Sequence, residues 1–175
     1  ARPVIQDEPF AVILADDLID ARPSALAQMT AVYSRGGCSV LGVEVVPKEL
    51  TASYGIVETA AKSDGTEQVL SIVEKPKPED APSDIAVVGR YILTPAIFDL
   101  LATVKAGAGG EIQLTDAIKL LIKKETVLAH RFTGTRYDCG SKFGFLQATV
   151  EHGMVHGETG AQFTAWLRAR MKEKK

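Results

Sequence analysis

Cysteine is scarce in this 175-residue chain: only Cys38 and Cys139 carry a thiol, and they lie far apart. Two thiols so spaced exclude a disulfide framework and a cysteine-based zinc cluster, which makes a reducing cytoplasm the expected compartment. Long apolar runs are absent as well. No stretch reaches membrane-spanning length and no leader pattern is visible, so a membrane partner is not expected. Nor does one sign of charge dominate. Twenty basic residues face 22 acidic ones, a formal net charge of -2, which argues against a nucleic-acid or membrane-binding surface. Local phosphate contacts stay open, because they need few side chains. The chain also lacks a phosphate-cradling glycine fingerprint. Ala106-Gly107-Ala108-Gly109-Gly110 has neither the preceding strand nor the spacing, and reads as a connector. Finally, there is no initiating methionine: Ala1-Arg2-Pro3 runs almost directly into a strand, and the expectation is a fragment or a processed product.

What is present suffices for one domain with a sizeable core, at 46% hydrophobic residues. The stretch that organises it is Ile72-Val73-Glu74-Lys75-Pro76. A β-branched run ends in an acid and a base, and Pro76 prevents the strand from continuing as a ladder donor. On a regular strand Glu74 and Lys75 diverge; at a strand end leading into a proline loop both can turn toward one crevice. A carboxylate there accepts hydrogen bonds from hydroxyls such as those of a sugar, and an ammonium neutralises phosphate oxygens. Two solvated charges at an exposed strand end are the alternative.

Taken in order, Phe10-Ala11-Val12-Ile13-Leu14-Ala15 is a continuous apolar run, expected as a strand covered on both faces in a parallel sheet. Asp16 and Asp17 follow at its end, where an acid can hold a cation beside bound phosphates or simply cap a turn. Residues 24–35 read as a helix opened near Pro23 and stopped by Gly36-Gly37, and residues 39–46 as a strand. Tyr54 and Gly55 open a strand that pairs with residues 68–74 as an antiparallel hairpin, reversed at Ser63-Asp64-Gly65-Thr66. Residues 76–83 form a proline-rich surface path. Gly89 interrupts the strand 85–93 and predicts a bulge or a close approach. Thr94-Pro95 is expected to cap and start a helix. An amphipathic helix follows residues 111–116, and residues 127–132 return as a strand. Asp138 lies in a strand-to-helix turn, where a helix terminus favours anions and where a capping role is equally open. Phe143, Leu146 and Val150 are expected to pack one face of the next helix. Phe163, Trp166 and Leu167 are expected to be buried by the last, with a neighbouring subunit beneath the aromatics a further possibility. His130, His152 and His156 read as packing or surface residues.

Three groups of residues have now accumulated: Leu14-Ala15-Asp16-Asp17; Val73-Glu74-Lys75-Pro76 with Val88-Gly89-Arg90-Tyr91; and Gly110-Glu111-Ile112-Gln113-Leu114-Thr115-Asp116 with Tyr137-Asp138-Cys139-Gly140-Ser141-Lys142. In this order and spacing the chain closely resembles the bacterial UTP-glucose-1-phosphate uridylyltransferases, also called UDP-glucose pyrophosphorylases, over essentially its whole length. The resemblance implies an α/β fold, a Rossmann-like nucleotidyltransferase mixed sheet with a β-hairpin and C-terminal helices, present as a partial domain. Residues 1–175 are then the sugar-phosphate-binding and C-terminal part of a single catalytic domain. It also implies magnesium (Mg2+) as cofactor, glucose 1-phosphate and UTP as substrates, UDP-glucose and pyrophosphate as products, and a cytoplasmic homo-oligomer, dimer or tetramer. Residue by residue, Asp16 matches the metal-binding acid, although the family more often has Pro where Ala15 stands. Glu74 matches the acid that meets the glucose hydroxyls, and Lys75 the lysine on the sugar phosphate, which makes Lys75 and Asp16 the catalytic candidates. Gly55 and Gly89, with Tyr54 and Val88 beside them, match positions lining the sugar pocket, and Asp138 matches a second acid near the metal. The chain departs from the family in lacking the Gly-rich loop of G-x-G-T-R type and the base-binding sheet after it. Three alternatives remain open: a sister nucleotidyltransferase making a dTDP-, ADP- or GDP-sugar, a metal-dependent glycosyltransferase, or a non-catalytic sugar-phosphate-binding or assembly fragment.

Overall fold

A computed structural model describes residues 1–62, 66–106 and 110–173. The elements in chain order are α1 (Arg2–Ile5), β1 (Phe10–Ile13), β2 (Asp17–Asp20), α2 (Ala25–Gly36), β3 (Ser39–Val45), a 3-10 turn (Lys48–Ser53), β4 (Gly55–Ala61), β5 (Glu67–Glu74), β6 (Ile85–Leu93), α3 (Ala96–Leu101), α4 (Leu114–Leu121), β7 (Val127–Arg131), β8 (Thr135–Asp138), α5 (Lys142–Val155) and α6 (Gly160–Lys172). They group into two compact units. One comprises Ala1–Leu14 and Asp20–Gly134, the other Ala15–Ile19 and Thr135–Lys175.

The first unit is built on a mixed sheet in the order β1-β6-β3-β7-β5-β4. The pair β3–β7 is parallel and the others are antiparallel. The buried, apolar β3 divides its side chains between two clusters. Leu41 and Val43 face a core shared with Ile97 and Leu100 of α3 and Ala117, Ile118 and Leu121 of α4. Val40 faces Met29 and Val32 of α2. Helices on both faces explain why the adjacent Val40 and Leu41, which point to opposite faces, are both fully buried. Helix α2 is bounded as its sequence dictates: the Ser24 hydroxyl accepts from the Ala27 amide, and Gly37 closes the helix in a left-handed conformation.

The expected antiparallel hairpin of β4 and β5 forms, with Gly55 opposite Glu74 and Val57 opposite Ile72. Residues 63–65 of its predicted reversal and residues 107–109 of the predicted connector lie outside the described residues. The irregularity expected at Gly89 is present. Between the pairs Leu41–Tyr91 and Val43–Val87, the β6 residues Val88, Gly89 and Arg90 stand opposite Gly42 alone. A side chain at Gly42 would meet the Arg90 Cβ and carbonyl at 3.1 Å, so glycine there admits the bulge.

The second unit contains β8, the Asp17–Ile19 part of its partner strand β2, and helices α5 and α6. Here α5 starts against the backbone. A Cβ on Gly144 would fall 2.0 Å from the Asp138 carbonyl, while the Ser141 hydroxyl accepts from the Gly144 amide at 2.9 Å.

Four local expectations are corrected. Strand β1 is not covered on both faces; it pairs antiparallel with β6 at the sheet edge and alternates half-buried with exposed, Ile13 being exposed. An apolar run records hydrophobicity but not what lies on each side of it. Thr94 does not cap α3 through its side chain: its hydroxyl donates to Glu125 at 2.8 Å, in a network with Ser39. Along α5 the buried positions are Gly144 and Ala148, whereas Phe143 and Leu146 are exposed. In α6 Phe163 and Leu167 are half-buried and Trp166 is exposed, stacking on Phe163 with ring centroids 5.8 Å apart. In α5 small residues make the close approach while Phe143 and Leu146 stay outside, and Gly153 leaves room for the Phe163 ring of α6.

His130 of β7 titrates in a half-buried setting, with Nε2 3.4 Å from the Gln28 Oε1. Burial first, and the nearby Arg35 charge second, push its pKa below the usual 6.5. The unfolded chain therefore takes up the proton first as pH falls. His130 contributes fully above about pH 6.5, and that contribution is lost as pH drops from there through the folded-state value. Urea midpoints measured against pH are expected to fall less steeply below that point in His130→Gln than in the parent. Identical slopes would assign the acid sensitivity elsewhere.

Candidate functional site

Two clusters of predicted residues emerge, one in each unit. In the first, Glu74 ends β5 and Gly55 lies directly across from it. The Lys75 amide donates to the Tyr54 carbonyl at 3.0 Å, which extends the hairpin by one bond. Lys75 itself has φ +44°, in the left-handed region that costs a non-glycine residue about 1 kcal/mol or more. This turn changes where its side chain goes. Instead of diverging, the Lys75 Nζ lies 3.9 Å from the Glu74 Oε1. The lysine is mostly exposed and the glutamate about one-third so. The other carboxylate oxygen, Oε2, accepts from the Thr115 hydroxyl at 2.6 Å.

Gly55 makes room for this arrangement. A Cβ at that position would stand 3.3 Å from the Glu74 Oε2 and 3.5 Å from the Thr115 Oγ1. Thr115 is not among the candidates that the sequence offers, although it stands within the stretch that carries the resemblance. Its one signal is a hydroxyl in the first turn of an amphipathic helix. Val88 and Gly89 occupy the β6 bulge. Both residues are buried. The Gly89 carbonyl accepts from the Leu14 amide at 2.9 Å and from Arg90 at 2.8 Å.

In the second unit, Asp16 and Asp138 converge on Gly140. A Cβ there would lie 3.0 Å from the Asp16 Oδ2 and 3.1 Å from the Asp138 Oδ1, so glycine keeps open the space that both carboxylates border. Backbone bonds fix the pair: the Cys139 amide donates to the Asp16 carbonyl at 2.7 Å, and the Gly140 amide to the Asp138 Oδ1 at 3.1 Å. The adjacent Asp17 has a different task. It is buried in an ion pair with Arg136, whose guanidinium also lies 3.9 Å from the Asp138 Oδ2. Arg136 is the other residue that sequence reasoning misses, since nothing in the sequence pairs it with an acid more than a hundred positions earlier.

Two carboxylates facing one gap fit a hard divalent ion that completes its shell with phosphate and water oxygens. Among the described residues no group of three or more His, Cys, Asp or Glu side chains is placed to hold a metal alone.

A mixed sheet flanked by helices, an acid-base pair at a hairpin end and a carboxylate pair at a strand-to-helix turn are the setting for comparison with known proteins. The pattern of the nucleotidyl transferase family matches residues 1–153, and the chain belongs to that family. Among its relatives is the UTP–glucose-1-phosphate uridylyltransferase of Staphylococcus epidermidis, 44% identical over 168 residues, which are 96% of this chain and 58% of that protein. The enzyme of the same name from Pseudomonas aeruginosa is 49% identical over 150 residues, 85% of this chain and 54% of the relative. A crystal structure of UDP-glucose pyrophosphorylase complexed with UDP-glucose superposes with a TM-score of 0.83 at 44% identity, covering 86% of this chain and 58% of that one. The chain thus spans little more than half the length of the relatives it matches.

The Arg136–Asp17 pair generates a stability test. With both side chains about nine-tenths buried, removing one partner strands the other's charge, at a cost of about 3–5 kcal/mol. Chemical denaturation of Arg136→Met should show a loss of that order, and the double variant with Asp17→Asn a smaller one. Equal losses in the two would mean that the pair is not coupled.

Proposed function

We propose that this chain carries the sugar-phosphate and metal-binding machinery of a UTP–glucose-1-phosphate uridylyltransferase, the activity for which its relatives are named. The observation that carries the reading is the Glu74–Lys75 pair, turned to one side by the left-handed Lys75 and offering an acceptor for hydroxyls beside an ammonium for phosphate. The relatives' names, and UDP-glucose in the matched crystal structure, support it.

In the proposed reaction a phosphate oxygen of glucose 1-phosphate attacks the α-phosphorus of UTP. The bond to the departing pyrophosphate breaks in line, and UDP-glucose forms. No covalent enzyme intermediate is needed. The chain's residues act by positioning and charge neutralisation. Glu74 accepts hydrogen bonds from hexose hydroxyls, and Gly55, Gly89, Tyr54 and Val88 line the sugar site through backbone and small volume. Lys75 neutralises the sugar phosphate, lowering the repulsion between two anions that must meet. Asp16 and Asp138 hold magnesium, which when bound offsets phosphate charge. Arg136 keeps Asp138 oriented. We place this machinery, residues 1–175, within one nucleotidyltransferase catalytic domain of a cytoplasmic homo-oligomer. The exposed Phe143, Leu146 and Trp166 support association with a second copy. None of the described helices is long and apolar enough to cross a membrane.

The test is Lys75→Ala in the protein that carries this chain, assayed by pyrophosphate release from UTP and glucose 1-phosphate. Without the charge-assisted bond from the ammonium to the sugar phosphate, kcat should fall by roughly 100-fold, about 2.7 kcal/mol. A near-parental rate would remove Lys75 from the chemistry.

A further inference from the structure

The Glu74 carboxylate has one oxygen beside Lys75 and the other bound to Thr115. Thr115 sits in the first turn of α4, whose Ala117, Ile118 and Leu121 are buried in the main core. A threonine within a helix often returns its hydroxyl to the backbone one turn earlier. In a first turn that carbonyl lies outside the helix, and here the proton goes to Glu74 at 2.6 Å. Across the hairpin, Gly55 leaves space for the Glu74 Oε2 and the Thr115 Oγ1, with a Cβ there only 3.3 and 3.5 Å from them. Three elements, β4, β5 and α4, thus converge to hold one carboxylate in one orientation.

We propose that Thr115 is a specificity-determining positioning residue: by fixing the Glu74 carboxylate, it sets which hexose hydroxyl configuration that carboxylate accepts. The inference rests on the reading of Glu74 as the acceptor for sugar hydroxyls. Hydrogen bonds weaken steeply away from linearity. A locked carboxylate therefore rewards one epimer, whereas one free to swing follows either. A hydroxyl has a single proton, and Thr115 commits it to Glu74, so no other side chain is needed to hold that oxygen.

The experiment compares dissociation constants of glucose 1-phosphate with those of its galactose and mannose epimers, by calorimetry in the presence of magnesium, for the parent, Thr115→Val and Thr115→Ser. Valine keeps the shape and removes the donor; serine keeps the donor. The expected result is about tenfold weaker glucose 1-phosphate binding in Thr115→Val, little change for the epimers, and hence a narrowed preference that Thr115→Ser restores. Loss of affinity shared equally by all three sugars would mark a structural role and overturn the proposal, as would an unchanged preference. Should the valine variant fail to fold, Thr115→Ala removes the same hydroxyl with less bulk and is read in the same way. If the parent binds glucose 1-phosphate and Thr115→Val retains its preference, only the role of Thr115 falls. If the parent binds none of the three, the sugar-phosphate reading of Glu74 and Lys75 falls with it.

Discussion

Lys75 holds a backbone conformation that L-residues avoid, and the character of the hairpin end depends on it. With ordinary strand geometry, consecutive side chains point to opposite faces, and an acid followed by a base makes two unrelated surface charges. At φ +44° the chain turns within one residue, the amide still bonds the Tyr54 carbonyl, and the ammonium comes to 3.9 Å from the Glu74 carboxylate. The strain is offset by a hairpin whose register is set by buried residues, Ile56, Val57, Val69 and Ile72 among them. Strain held by surrounding packing is a mark of functional positions.

Much of the fold is legible in the sequence because its signals are local. Pro23 near its start, Gly36-Gly37 as its stop and the run between them define α2, and the structure places those boundaries within a residue. The β4–β5 hairpin and the irregularity at Gly89 follow from alternation and from a glycine in a strand interior. What fails is any statement about which face is covered. Phe143 and Leu146 are expected inside because they are large and apolar, yet α5 approaches its neighbours through Gly144 and Ala148. Thr94 looks like a cap and bonds Glu125 instead. A partner distant in sequence decides such cases, and a single sequence does not display it.

The candidate site divides in the same way. Asp16, Glu74, Lys75 and Asp138 are recognisable as acids and a base at strand ends, where α/β sheets carry ligands. The residues that orient them are not, because Thr115 and Arg136 act across long sequence separations. Asp16 and Asp17 are indistinguishable in sequence. The structure separates them by burial, Asp17 being enclosed with Arg136 and Asp16 exposed beside the space at Gly140.

That separation has an electrostatic consequence. A buried carboxylate without a partner is costly, so Asp17 requires Arg136. Once there, the guanidinium lies 3.9 Å from the Asp138 Oδ2, while the Oδ1 takes the Gly140 amide and borders the same gap as the Asp16 Oδ2. Of these four groups, three are carboxylates and one is a guanidinium, and the negative charge left over matches the charge of one divalent cation. A lone carboxylate pair would repel itself and swing apart in solvent. Here the strand pairing of β2 with β8 fixes one acid, and the start of α5 fixes the other. Under the proposed reading, preorganisation of this kind would allow a hard cation to be held by only these two side chains, with ligand and water oxygens completing its shell.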